Sequence, residues 1–365
     1  MKEFSLQVEP FNGTWVDCVN NNVISVLMTR DKSFEHAPCL SQARYRLHSP
    51  ENSSGGNADT AIAKAYEEGL LLDVIRTLDL SAYLEFETQT IDHAENVHQT
   101  IKEYLHKGYY VFVDLDRFYY PTGVDAGKQH LTHPAFLYGY TDESSSFRLI
   151  EDCMQPSKME NYMLPYDRFD EAIASAHAET STFRIVAARI KDQEGMQFHS
   201  SFSKELIRDN LQVLLVEEHN TAEEHSMYSK DYGVEAVYGL SAIKHFAETI
   251  EQRLLGISNT RFQQKAVAIK NPYFFRRATI HLPFLLHRNN WVNELQFENL
   301  TNEYKKLCND WELYGNTLIK YYYKFHYIKD LKHTNKSEFD SLKGLLAKIY
   351  EKERYVTNMT IEVLA

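Results

Sequence analysis

Hydrophobic and polar positions follow two different patterns along the chain, and the pattern changes close to residue 195. Before that point, dense runs of β-forming residues alternate with segments whose apolar residues recur at helical spacing. Beyond about residue 200 the β-forming runs fade, and helical spacing with aromatic stripes dominates. The pattern therefore predicts an α+β chain of two domains: residues 1–195 with an antiparallel sheet, and residues 196–365, which are mostly helical.

The individual elements follow from the same spacing. The sequence predicts helices that begin near Val19 and that cover residues 58–78, 94–107, 235–255, 274–288, 295–324 and 337–352. It predicts strands over residues 109–115, 133–140, 146–152 and 183–190. A stretch rich in Ser, Gly and Asn over residues 49–57 predicts a loop.

Composition narrows the class of protein. Hydrophobic residues make up 43% and charged residues 25% of the 365 residues, as in a folded globular protein. The chain has no run of about 18 apolar residues, and its N-terminus lacks the pattern of a signal peptide. The four cysteines form no CxxC pair, and the histidines do not stand at ligand spacing with them. These features predict a reduced, cytoplasmic protein with no disulfide framework, no metal and no cofactor.

Charge is unevenly spread along the chain. The net charge is −12, with 22 Lys and Arg against 40 Asp and Glu in residues 1–260, but 17 against 11 in residues 261–365. The acidic first part argues against nucleic acid as the main partner and suits a cationic substrate. The basic last part suits an acidic partner.

Cys18 is the candidate nucleophile. It stands where a helix begins, after a turn at Gly13, with Asp17 or Thr14 as the capping residue. A helix N-terminus favours the thiolate, which is the reactive form of cysteine, and its backbone N–H groups can bind an oxyanion. Asn12 can add a side-chain amide to the same oxyanion site. The competing interpretation is that Cys18 is a small buried apolar residue.

His133 is the candidate base, and the predicted hairpin supplies its partner. If the hairpin loop is residues 141–144, His133 lies directly opposite Asp152, and a carboxylate there can orient the imidazole. A slip of one residue would make Glu151 the partner instead. His130 competes with His133 as the base, and a strand-end histidine with one backbone hydrogen bond is the alternative to a catalytic role.

One part of the sequence resembles a known family, the N-terminal domain of the butirosin biosynthesis protein H family. The resemblance is strongest over residues 109–152 and looser after residue 200. It is carried by Tyr109–Asp116, Tyr119-Tyr120-Pro121, His130, His133–Tyr140, Phe147–Asp152, Leu164–Phe169, Tyr238–Ile243 and Arg276-Arg277 through Trp291. This resemblance implies a thiol fold similar to papain and to the C39 peptidases in the first domain.

The resemblance also implies an activity. Members of this family move an acyl group from the phosphopantetheine thioester of an acyl or peptidyl carrier protein to a small amine, in antibiotic or peptide biosynthesis. Carried over to this chain, Cys18 would be acylated, His133 would act as general base and acid, and Asp152 would orient it. Asn12 stands where papain-like enzymes place a glutamine. A cysteine peptidase or amidase on the same triad, or a non-catalytic scaffold of the same fold, are the alternatives. No membrane or nucleic-acid partner is expected.

Overall fold

The structure is a computed structural model that describes residues 3–48, 71–91, 96–178, 182–192, 198, 203–216, 218–220, 236–256, 262–327 and 336–365. The described strands are β1 Glu3–Ser5, β2 Gln42–His48, β3 Asp73–Thr77, β4 Leu84–Ile91, β5 Tyr110–Asp116, β6 Thr132–Thr141, β7 Ser146–Glu151, β8 Glu160–Pro165, β9 Phe183–Ile190, β10 Glu218–Asn220 and β11 Ala236–Tyr238. The described α-helices are α1 Cys18–Met28, α2 Val97–His106, α3 Tyr166–Ala176, α4 Lys204–Leu215, α5 Leu240–Gly256, α6 Phe262–Thr279, α7 Leu282–Arg288, α8 Glu294–Tyr327 and α9 Lys336–Leu364.

The chain forms two compact units. Unit 1 comprises Met1–Ala37 and Asp79–Ser201, and unit 2 comprises Pro38–Leu78 and Phe202–Ala365. Antiparallel strand pairing in the first unit and helices throughout the C-terminal region confirm the predicted α+β class.

Unit 1 is built on a seven-stranded antiparallel sheet. Its strands run in the order β4-β9-β5-β6-β7-β8, and β1 pairs with β6 beside that path. The β-branched and aromatic run of β5 is buried almost throughout, as the central position of the strand requires. Helices α2 and α3 pack on β5, and together with the sheet they enclose the main apolar core of the unit.

Gly139 allows β1 to lie beside β6. A Cβ atom at this position would stand 2.6 Å from the backbone oxygen of Phe4 and 2.9 Å from Cα of Ser5. The register of the β6–β7 ladder also shifts between Leu137 and Gly139, which marks a β-bulge. The bulge therefore lies next to the residue at which β1 needs a glycine in β6.

Unit 2 combines a four-stranded sheet with the long C-terminal helices. Its strands run in the order β10-β11-β2-β3, and α9 packs against α4, α5 and α8. At its centre the carboxylate of Glu353 is fully buried. It accepts hydrogen bonds from Nε of Arg276 at 2.8 Å, from Nε1 of Trp311 at 2.6 Å and from the hydroxyl of Tyr45. A buried charge of this kind is stable only when it is paired in this way.

The structure divides the chain differently from the single boundary predicted between residues 195 and 196. The last boundary between the two units falls after Ser201. Residues 38–78 belong to the second unit and not to the first. The reason is long-range pairing, because β2 pairs with β11 as well as with β3. The helix predicted over residues 58–78 is wrong at its C-terminal end, because Asp73–Thr77 is a strand that pairs with β2. The loop predicted over residues 49–57 and residues 58–70 of the predicted helix lie outside the described residues.

None of the helices in the described part of the chain combines the length and the apolar character that a bilayer crossing needs.

Candidate functional site

Cys18 is the first residue of α1, as the sequence predicts. Asp17 caps the helix, because its side chain accepts hydrogen bonds from the backbone N–H of Asn20 at 2.7 Å and from the amide of Asn20 at 2.7 Å. Asp17, and not Thr14, is therefore the capping residue. The thiol is half-buried, with backbone N–H groups of the first helical turn beside it.

The segment before Cys18 is held by the helix that follows it. The buried side chain of Asn21 accepts a hydrogen bond from the backbone N–H of Val16 at 2.9 Å. Its amide donates to the carbonyl oxygens of Thr14 at 3.0 Å and Phe11 at 3.2 Å. These three bonds fix the approach of the chain to Cys18, so the thiol is placed by the fold and not by a loose loop.

The other three cysteines lack this setting. Cys39, Cys153 and Cys308 are buried, whereas Cys18 is half-buried, and all four are free thiols. Burial raises the pKa of Cys153 to about 12 and that of Cys308 to about 11, and it raises the pKa of Cys39 as well. A buried thiol with a raised pKa is a poor nucleophile, so the structure leaves Cys18 as the reactive candidate.

His133 lies near the start of β6, opposite Leu115 of β5, and its side chain is 16% exposed. Burial lowers the pKa of its imidazole, and the positive charge of Arg117 lowers it further. The negative charge of Cys18, together with that of Glu151, outweighs both, so that the pKa rises to about 10. Cys18 and His133 are therefore close enough to interact, and the interaction favours the protonated imidazole.

The hairpin register differs from the predicted one. Thr141 pairs with Ser146, so the loop is residues 142–145, and beyond the bulge Leu137 pairs with Leu149. Extended along the strands, this register puts Glu151 on the face of the sheet that carries His133, because side chains alternate between faces. Asp152 follows the end of β7.

Both carboxylates nevertheless lie close to the imidazole. Oε2 of Glu151 is 3.6 Å from Nδ1 of His133, and Oδ1 of Asp152 is 3.9 Å from Nε2. The two partners that the sequence left open, Asp152 and Glu151, are therefore both present, and Glu151 is the nearer one. The orienting role of Asp152 stays a prediction.

Arg117, which follows β5 directly, is a residue of the site that the sequence patterns did not indicate. Its Nη2 group donates hydrogen bonds to Oε2 of Glu151 and to Oδ1 of Asp152, and it lies 3.2 Å from Nε2 of His133. The arginine side chain is 5% exposed. One signal was available: two adjacent acids at the end of a buried strand require a cation nearby.

Each carboxylate has a second contact besides the guanidinium. Oε1 of Glu151 accepts a hydrogen bond from the hydroxyl of Tyr120 at 3.2 Å, and Oδ2 of Asp152 accepts one from the backbone N–H of Ser157 at 3.1 Å. Burial raises the pKa of Glu151, but the charges of Arg117 and His133 and the hydrogen bonds from them lower it to about 2. Glu151 is therefore ionised at neutral pH.

Two predicted candidates lie in other contacts. The exposed side chain of Asn12 pairs with the backbone of Met159, donating to its carbonyl oxygen at 2.9 Å and accepting from its N–H at 2.8 Å. His130 is bonded through Nδ1 to Oδ2 of Asp116 at 2.6 Å and stacks on Phe118. The oxyanion role of Asn12 stays a prediction, and its oxygen and one N–H already have partners.

The same cluster has the residue types of a metal site. One ligand atom from each of His133, Glu151 and Asp152 can be chosen so that all three lie within 4.8 Å of one another. The guanidinium of Arg117, however, is bonded to both carboxylates. The positive charge that a metal ion would supply there is already provided by the protein.

Comparison with known proteins adds no family assignment, since no protein-family model matches the chain and no curated protein matches it significantly in sequence. The site is therefore interpreted from its own geometry: a half-buried thiol at a helix N-terminus, an imidazole whose pKa that thiol raises, and two buried carboxylates beside the imidazole.

Proposed function

We propose that Cys18 is the nucleophile of an acyl-transfer reaction and that His133 is its general base and acid. The observation that carries this proposal is the pairing of the two side chains. The only cysteine that is not buried begins a helix, and its charge is the largest influence that raises the pKa of His133, to about 10. An imidazolium beside a thiol favours the thiolate, which is the form that attacks carbonyl groups.

The reaction proceeds in two balanced steps. In the first, the Cys18 thiolate attacks the carbonyl carbon of a thioester, and the tetrahedral intermediate expels the donor thiolate, which takes the proton of the His133 imidazolium. This step leaves acyl-Cys18 and a neutral imidazole. In the second step an amine attacks the acyl carbon, His133 removes a proton from the amine nitrogen, and Cys18 leaves as the thiolate. The products are an amide and the original thiolate–imidazolium pair.

Other groups of the site support these steps. Backbone N–H groups at the start of a helix such as α1 are suited to bind the oxyanion of the intermediate. Glu151 and Asp152 stabilise the imidazolium and orient its ring, although neither touches the reacting atoms. A negative charge near the imidazole favours the protonated state from which the first step begins.

The choice of transferase over hydrolase comes from the resemblance at residues 109–152. On that basis the donor is the phosphopantetheine thioester of an acyl or peptidyl carrier protein, and the acceptor is a small amine of a natural-product pathway. The acidic balance of residues 1–260 suits a cationic amine, and the basic balance of residues 261–365 suits an acidic carrier. A peptidase or amidase would use the same residues with water as the acceptor.

The experiment is to mix the protein with an acyl thioester of N-acetylcysteamine and to measure the mass of the peptide that contains Cys18. We expect an acyl adduct in the wild type and in the matched control Cys308→Ala, and none in Cys18→Ala. Adding a primary amine should convert the adduct to an amide. Conversion to the free acid at an unchanged rate would instead show a hydrolase, and equal adduct formation in Cys18→Ala would contradict the proposal.

A further inference from the structure

Two carboxylate side chains are buried side by side at the end of β7. The side chains of Glu151 and Asp152 are 1% and 9% exposed. Two acidic groups held this close in a dry site repel each other unless a cation is bonded to both. Both lie beside the imidazole of His133, so the site that the proposed function uses depends on what holds the two carboxylates there.

The side chain of Arg117 is positioned to hold both carboxylates in place. Its backbone is fixed at the end of β5, where its N–H donates to the carbonyl oxygen of Leu131 at 3.0 Å and Asp116 caps the short turn that contains it. Its guanidinium reaches back to both carboxylates. A planar guanidinium with several N–H donors suits two acceptors better than the point charge of a lysine does.

We infer that Arg117 is the positioning residue of this site, a built-in cation that holds Glu151 and Asp152 beside His133 in the place that a divalent metal ion would otherwise occupy. The evidence is the coincidence of two arrangements. Histidine and carboxylate atoms within 4.8 Å of one another are a ligand set for a divalent transition metal, and the guanidinium is bonded to both carboxylates of that set.

A guanidinium has a chemical advantage over a metal ion here. A divalent ion among these groups would also bind the nearby thiolate of Cys18, because soft thiolates are strong metal ligands. The metal would then block the nucleophile. Arg117 supplies positive charge without coordinating sulfur, so both carboxylates are held while Cys18 remains free to react.

The test is the substitution Arg117→Ala, examined with Co²⁺ as the probe. The smaller side chain opens the site, so we expect the variant to bind one Co²⁺, with visible absorption bands of a low-symmetry site and a higher melting temperature in the presence of the ion. The wild type should show neither change. In Arg117→Ala/Glu151→Gln the affinity should fall at least tenfold, because one ligand is lost.

The thiol supplies a second readout, which does not depend on acyl transfer. Without metal, Arg117→Ala should slow the alkylation of Cys18 by iodoacetamide at pH 7 by about 10- to 100-fold, as the loss of supporting groups around a reactive centre does. Arg117→Lys, which keeps the charge, should recover most of that rate and should not bind Co²⁺.

Three results would overturn the inference. One is a folded Arg117→Ala variant that binds no Co²⁺ and whose Cys18 is alkylated at the wild-type rate. Another is a variant that stays unfolded with and without Co²⁺, because an equivalent cation should replace the guanidinium. The third is binding of Co²⁺ by the wild type at the same affinity. Failure of the acyl adduct to form on Cys18 would contradict the proposed function but would leave these readouts intact.

Discussion

Removing the thiol of Cys18 should lower the pKa of His133, and this is the sharpest consequence of their pairing. In the substitution Cys18→Ala the negative charge that raises the pKa is lost. Burial and Arg117, which lower it, remain, as does Glu151, which raises it. We therefore expect the imidazole of the variant to lose its proton at a much lower pH than that of the wild type.

The size of the change follows from the structure. A rise in the pKa of His133 from 6.5 to about 10 corresponds to roughly 5 kcal/mol in favour of the imidazolium. Two unit charges about 4 Å apart, at an effective dielectric constant of about 20, interact by about 4 kcal/mol. That energy corresponds to a change of about three in a pKa. The loss of the thiolate should thus bring the pKa of His133 down to about 7 or below.

Because the pKa of His133 is raised in the folded protein, its effect on stability depends on pH in a defined range. A folded-state pKa above the unfolded value stabilises the folded protein below pH 6.5, and this contribution is lost as the pH rises through about 10. The free energy of unfolding of the wild type should therefore decline between pH 6.5 and 10. The decline should be smaller in Cys18→Ala, because the raised pKa is lost with the thiol.

The assay is a pH titration of the histidine ring by NMR, with the His133 signal assigned from a His133→Gln variant. Cys308→Ala is the matched control, since that thiol lies in unit 2 and its removal should leave the titration of His133 unchanged. An imidazole that titrates at the same pH in the wild type and in Cys18→Ala would refute the pairing.

The remaining predictions concern the stability of the two units, measured by urea unfolding. Gly139→Ala should destabilise unit 1 by about 1–3 kcal/mol because its Cβ collides with the main chain of β1. Gly344→Ala, in an exposed position of α9 with no atom within 4 Å of the new Cβ, should instead add about 0.5–1 kcal/mol, and a loss there would contradict the helical assignment. Glu353→Gln should cost unit 2 about 3–5 kcal/mol by leaving Arg276 buried without its counter-charge. Glu351 is exposed, so Glu351→Gln should change the free energy of unfolding by less than about 0.5 kcal/mol. Equal losses in Glu351→Gln and Glu353→Gln would contradict a stabilising role for the buried Arg276–Glu353 pair.

Local patterns predicted the centre of unit 1 well. The runs that form β5, β6, β7 and β9 are continuous β-forming segments, and their strands lie within two residues of the predicted limits. The helix start at Cys18 was predictable for the same reason, because a cap is a local signal. The cysteine and histidine of the candidate site could therefore be chosen from sequence alone.

Contacts between residues that lie far apart in the chain could not be predicted from the sequence. The bulge between Leu137 and Gly139 shifts the register of the hairpin, and β6 also pairs there with β1, more than 130 residues away along the chain. Arg117 meets its carboxylates 34 and 35 residues further on, and no periodic pattern links them. The inclusion of residues 38–78 in unit 2 depends on pairing with β11 in the same way.

The proposed function depends on Cys18 and His133 acting as one thiolate–imidazolium pair. The most direct measurement is the rate at which iodoacetamide alkylates Cys18 at pH 6, determined by peptide mass spectrometry in the wild type and in His133→Ala. We expect Cys18 of the wild type to react much faster than a cysteine in an unfolded peptide, and the rate to fall at least tenfold in His133→Ala. Equal rates in the two proteins, with both folded, would contradict it.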